Sequence, residues 1–297
     1  MTSTGPAEAE LAVVDLRVDV DGVPACDGLS FQARGRRVLV LGAPRALFDA
    51  TTGLLPAVRG AVTIRGASAN EAASRRLIAG AAMEPPMPPR WTVLEYVSWS
   101  ARLSGLSASE ARKTAHEALD RMQLGAMAKS PIVRLLPHAR RATVVASALA
   151  TGAPVIALDD PLGGLPDDVA AAYADVLVTA LEDRTWFVFA PRASLTAPLG
   201  VAADEVLVCT ATQLEMQGAP TELLARARCF VGRVLGSVSA RAAVAPALEV
   251  RGARMEERGA HLFFDLGESL TTSELMEICA SADVAVVELV PAIRALS

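Results

Sequence analysis

The sequence predicts an α/β protein built on a mostly parallel sheet, followed by a small α+β unit. Two observations carry this. Short apolar runs bounded by Gly, Pro or Asp alternate with helical stretches over the first 230 residues, the pattern of strands buried on both faces and joined by crossover helices. Near residue 240 the texture changes to short strands around a single helix.

Leu11 to Val20 alternates apolar and polar residues, as a half-buried strand does, and Leu29 to Gln32 continues in that style. Val38-Leu39-Val40-Leu41 is a continuous apolar run that stops at Gly42, the signature of a buried parallel strand. Residues 46–55 suit a helix and Gly60 to Arg65 a strand. Pro85, Pro86, Pro88 and Pro89 impose an extended linker, because proline blocks helix and biases the residue before it. Thr92 with Glu95, and Ser107 with Glu110, are capping boxes that open two helices, the second running to about Leu124. Thr143 to Ala150 reads as helix, and Val155 to Leu158 as a buried strand ending in Asp159-Asp160. Asp167 to Leu181 is helical, Trp186 to Phe189 and Glu205 to Val208 are strands, and Thr221 to Arg228 is a short helix. In the tail, Leu248 to Gly252, His261 to Leu266 and Val284 to Leu289 read as strands, and Thr272 to Ala280 as a helix. The layout is therefore a large domain over residues 1–235, with a helical subdomain over about 85–150, and a small α+β domain over 240–297.

Composition narrows the function. Hydrophobic residues make up 52% and charged residues 21%, enough for a packed core and far from a disordered chain. The net charge of −5 argues against a nucleic-acid binder, which needs a basic stripe. Cys26, Cys209, Cys229 and Cys279 form no CxxC pair and do not cluster with the histidines, so neither a metal site nor a disulfide framework is expected and a reducing compartment fits. Met1 to Glu10 has no signal-peptide pattern. The most apolar stretch, Thr143 to Leu158, is shorter than the roughly 20 residues of a membrane span, and Gly152 and Pro154 interrupt it. A soluble protein that docks on a membrane partner is the expectation.

Five stretches in fixed order resemble one family. Ala25 to Phe31 (ACDGLSF), Thr52 to Pro56 followed by Arg59-Gly60, Trp91 to Ser107 (WTVLEYVSWSARLSGLS), Leu158 to Leu165 (LDDPLGGL) and Gly218 to Leu223 (GAPTEL) are similar to segments of ABC transporter ATPases, the type serving two-component exporters and gliding-motility systems. The resemblance runs from about Leu11 to Arg228, and the tail is similar to the small C-terminal domain of that subgroup. It implies a P-loop NTPase-like nucleotide-binding domain. It also implies a permease partner, a second ATPase subunit or second copy, and a place on the inner face of the cell membrane.

The resemblance also implies which positions hold nucleotide, and most have changed. The family cradles phosphates in a Gly-rich loop with a lysine and a hydroxyl for Mg²⁺. Here that stretch is Gly42, Ala43, Pro44, Arg45, Ala46 and Leu47; it is shortened, and the chain's two lysines, Lys113 and Lys129, lie far along it. The adenine-stacking aromatic falls near Val20 and the coupling glutamine at Glu84. The signature loop falls on Leu136, Pro137 and His138, and the switch histidine on Pro191. The metal aspartate survives as Asp159, while the catalytic glutamate is Asp160, one methylene shorter. A carboxylate roughly 1 Å out of place can cost about 100-fold in rate. Asp159-Asp160 then reads as a pair of solvated acids before it reads as a metal site. The implied protein is a degenerate, non-hydrolytic subunit with no cofactor expected; ATP and Mg²⁺ enter only if it is instead a divergent active ATPase using Arg45 and Asp160. A free-standing interaction module is the third reading. His138 reads as a surface residue, and Arg134, Arg140 and Arg141 as an anion patch or a solvated helix start. Phe263-Phe264 reads as core on one side. Trp91, Tyr96 and Trp99 read as internal packing or a docking face.

Overall fold

The computed structural model describes residues 9–226, 228–258, 261–267 and 269–291. The chain divides into two compact units, Met1–Pro220 and Thr221–Ser297.

In the first unit, β1 (Leu11–Val20) and β2 (Val23–Ala33) form an antiparallel pair, followed by β3 (Arg37–Leu41) and a short helix α1 (Arg45–Thr51). β4 (Arg59–Ile64), β5 (Ala67–Ser68), α2 (Ala69–Ser74) and β6 (Ile78–Ala81) come next. Then α3 (Val93–Leu103), α4 (Ala108–Arg121) and α5 (Pro137–Ala150) pack on one another as the helical region. β7 (Val155–Asp159), α6 (Asp167–Ala180), β8 (Thr185–Ala190), α7 (Pro198–Ala202), β9 (Glu205–Cys209) and β10 (Leu214–Gly218) complete the unit.

Two sheets result. One is antiparallel, in the order β2-β1-β4-β5. The other runs β10-β9-β3-β8-β7-β6; its four pairings from β9 to β6 are parallel, and β10 closes the edge as a hairpin with β9. β3, β7 and β8 sit inside this sheet and are almost wholly buried, which is why they read as unbroken apolar runs. Phe48, Phe187, Phe189, Leu47 and the inward residues of β1 and β2 fill one continuous core. Gly60, at φ +76, lies so close to the Val14 and Asp15 carbonyl oxygens that no Cβ fits there. β1 and β4 can then pair across the bulge at Val14–Arg17.

The two expected capping boxes, Thr92–Glu95 and Ser107–Glu110, form with both reciprocal hydrogen bonds, and the structure adds a third at Thr271–Glu274. Other elements depart from the sequence reading. α5 begins at Pro137 and not at Thr143, because proline at the first helical position gives up an amide that would have had no partner. β6 and β10 are short strands whose glycines and polar residues hid them.

The second unit contains β11 (Cys229–Leu235), α9 (Val238–Glu249), β12 (Arg254–Arg258), β13 (His261–Asp265), α10 (Thr272–Ser281) and β14 (Ala285–Pro291); α8 (Pro220–Arg226) leads into it. The sheet order is β12-β13-β11-β14. Phe264, Leu248, Leu262, Leu275 and Cys279 form its core, and Phe263 is half-buried. The boundary lies earlier than residues 235–240, because Cys229–Leu235 pairs with β13 and β14. Leu248 to Gly252 is not a strand. Ser237 caps a helix whose Val244 and Leu248, four apart, face the core, and Gly252 at φ +75 ends the turn after it.

Candidate functional site

The carboxyl ends of β3, β6, β7 and β8 come together, the place where parallel α/β sheets gather ligands. The backbone ties these ends to one another. The Gly42 amide donates to the Ala190 carbonyl at 3.0 Å, and the Asp160 amide to the Phe189 carbonyl at 2.7 Å. The Met83 amide donates to the Asp159 carboxylate at 3.4 Å. Gly42, Asp159 and Asp160, with Glu84 and Pro191 next along the chain from the tied residues Met83 and Ala190, therefore lie at one end of the sheet.

Between β3 and α1 only Gly42, Ala43 and Pro44 intervene. Gly42 takes φ +75 to reverse the chain. Pro44 caps α1 with no side-chain hydrogen bond and has no amide of its own. Ala46 and Leu47 are buried in the core beneath. The Arg45 guanidinium reaches the Asp159 carboxylate at 3.4 Å and the Asp49 carboxylate at 3.8 Å.

Asp159 is 6% exposed, so it is not a solvated acid. Burial pushes its carboxyl above the usual range, against the Met83 amide and Arg45, which hold it down. Burial likewise raises Asp49, with Arg45 opposing and Asp159 adding to the rise. Asp160 is raised by burial and by Asp159, while Arg141, the Gly163 amide and Arg192 oppose. Its backbone sits at φ +38, a left-handed conformation that Asp tolerates better than most residues. Its carboxylate lies directly over Gly163, where any Cβ would collide with it.

Arg141 is not part of a solvated helix start: it is 6% exposed. It donates to the Pro161 carbonyl at 3.3 Å and lies 3.7 Å from the exposed Glu84 carboxylate, while Arg134 and Arg140 stay at the surface. Sequence reading missed Asp49, Arg192 and the burial of Arg141. Asp49 stands four residues after Arg45, a helical pairing distance. Arg141 shares a helix face with Val144, Val145 and Ala148, so both carried a signal.

Leu136 is the N-cap of α5, and Pro137 and His138 are its first two residues. Leu136 is 64% exposed and gives the helix no side-chain cap. Pro137 lines a cleft of about 420 Å³ with Glu84, Pro85, Arg140 and Arg141. His138 lines another of about 400 Å³ with Asp168 and Tyr173. Val20 ends β1 opposite Val23, 41% exposed, with no ring to stack. Trp91 and Trp99 meet edge-on at 6.0 Å, and half of Trp99 remains exposed. Among the described residues no group of three His, Cys, Asp or Glu is arranged to hold a metal, and no helix is long and apolar enough to cross a membrane.

No family model matches the chain. It is similar to the haemin import ATP-binding protein HmuV of Streptomyces coelicolor, 28% identical over 170 residues, which are 54% of this chain and 61% of that protein. It is 30% identical over 173 residues to the cytochrome c biogenesis ATP-binding export protein CcmA of Ruegeria pomeroyi, covering 56% of this chain and 77% of that one. The chain belongs to the ATP-binding subunits of ABC transporters. The fold agrees: CbiO1 of Clostridium perfringens, part of an ABC transporter complex, superposes with a TM-score of 0.62 at 21% identity, covering 73% of this chain and 91% of that one. The P-loop NTPase fold expected from the five sequence segments is thus the fold observed. In this ABC subunit the turn after β3 and the acids after β7 lie together at the carboxyl ends of the parallel strands.

Proposed function

We propose that this ABC subunit is non-hydrolytic, with a structural or regulatory role in an export complex of the two-component type. One observation carries the reading. The turn from β3 to α1 has three residues, its first amide is spent on Ala190, its third residue has none, and neither the turn nor α1 holds a lysine. A triphosphate needs a nest of free amides and a compact cation, so these residues do not fit one. Two further features support it. The planar, exposed Arg45 fork is no substitute for an ammonium on the phosphates. Leu136 and Pro137, where the family caps a partner's phosphate, offer neither hydroxyl nor first-turn amide. The subunit then pairs with an active ATPase subunit or a second copy beneath a membrane permease, on the inner face of the membrane, and passes on motion generated elsewhere. The half-exposed Trp99 of α3 suits the docking of that partner.

The test is ATP hydrolysis and Mg²⁺-ATP binding by the purified full-length chain against a D159N/D160N control. No turnover above the control and no calorimetric binding is the expected result. Mg²⁺-dependent binding at micromolar concentration, or turnover well above the control, sinks the reading in favour of a divergent active ATPase.

A further inference from the structure

We propose that Arg45 is a built-in counter-ion that clamps the first turn of α1 to the end of β7, joining the Asp49 and Asp159 carboxylates where a nucleotide-binding relative relies on a bound cation. The inference deepens the non-nucleotide reading and rests on it for the comparison with relatives; the clamp itself stands on geometry.

Arg45 Nε lies 3.8 Å from Asp49 and 3.4 Å from Asp159. The two acid side chains are 19% and 9% exposed, whereas the Arg45 side chain is 58% exposed. The arginine thus comes from solvent to cover two acids already folded inward. Like charges held together away from water are destabilising unless a cation sits with them. The neighbouring arginines act on Asp160 instead: Arg141 and Arg192 oppose its upward shift, while Arg45 is the guanidinium opposing those of Asp49 and Asp159. Three aspartates are thus matched by three arginines from α1, α5 and the end of β8. No divalent ion is needed to balance them. The arrangement also gives a seven-residue helix, with no side-chain cap and no first-turn acid, a fixed anchor at its start.

The experiment is a set of thermal melts on the full-length chain without nucleotide: wild type, R45Q, R45K, D49N/D159N, and R45Q placed in D49N/D159N. R45Q is expected to lower the melting transition of the larger unit by about 2–4 °C, R45K to lose less, and R45Q to have no effect once both acids are amides. R45Q melting with wild type, or costing the same in the amide background, overturns the clamp. A parallel melt with Mg²⁺-ATP separates the two ideas. A rise in the wild-type transition would sink the non-nucleotide reading and leave the measured dependence of Arg45 on its two acids untouched.

Discussion

The Phe48 ring meets the Phe189 ring edge-on, with centroids 5.9 Å apart and planes inclined at 72°. Phe48 stands in the middle of α1, fully buried, and Phe189 is the next-to-last residue of β8. The contact fastens the helix after the shortened turn to the strand whose end carries Pro191. With so few turns in α1, packing and not helix propensity holds it in place. F48A is expected to cost about 3–5 kcal/mol and F48L much less. Urea unfolding of the larger unit measures both. A loss under 1 kcal/mol for F48A would mean that α1 is not seated on this core.

Glu205 does comparable work at the opposite end of the sheet. Its carboxylate accepts from the Arg34 and Gly35 amides, both at 2.7 Å, and from the Gln217 side chain at 2.6 Å. One side chain thereby satisfies the turn between β2 and β3 and steadies the edge strand β10. E205A leaves two amides without that partner and is expected to cost about 1–3 kcal/mol. E205Q, which keeps one acceptor, should cost less. Amide hydrogen exchange at Arg34 and Gly35 checks the cause: both should exchange faster in E205A, and unchanged protection would refute it.

These two contacts mark what the sequence could and could not disclose. The capping boxes at Thr92 and Ser107 were legible because both partners lie within four residues of each other. β3, β7 and β8 were legible because double burial writes itself as an apolar run. The link from Glu205 to Arg34 and Gly35 spans about 170 positions and leaves no local pattern. β6, an Ile-Ala-Gly-Ala run, is too short and too small to stand out until β7 pairs with it. At the site, the five segments in order pointed to the turn after β3 and the acids after β7, which the structure brings together. The Asp159 environment was not: a charged pair at a strand end suggests solvent, and only Met83 and Arg45 folding over it reveal burial.

Asp183 supplies a pH signature. Hydrogen bonding to Arg121 holds its carboxyl below the usual range, against a smaller upward push from burial, with the charges of Arg121 and Arg184 helping. A carboxyl lowered in the folded state contributes stability that is fully present above its unfolded value, about 3.9. That contribution is lost as pH falls through the lower folded value. The wild type is therefore expected to lose stability more steeply than D183N once pH drops below about 4, and the two should run parallel above pH 5 or so. Urea midpoints across the acid range measure this. A D183N curve with the same acid slope as wild type would show that the Arg121 pair contributes nothing.

Leu136 offers a prediction in the stabilising direction. It occupies the N-cap of α5 in extended geometry, φ −66 and ψ 158, and its side chain is 64% exposed with no hydrogen bond to give. Pro137 follows with no amide, so the donors left for a cap to satisfy in the first turn are those of His138 and Ala139, the second and third helical residues. A serine hydroxyl at position 136 would accept from one of them. L136S is expected to stabilise the larger unit by about 0.5–1 kcal/mol, within the range measured for such caps, because little apolar burial is given up in exchange. Under the proposed reading the same substitution supplies a hydroxyl where the resemblance puts the family's signature loop, so it also separates helix capping from chemistry. A higher melting temperature without ATP turnover is the outcome consistent with a non-hydrolytic subunit. Lower stability would mean that Leu136 covers apolar surface worth more than the cap, and turnover would mean that the signature hydroxyl was the missing catalytic part.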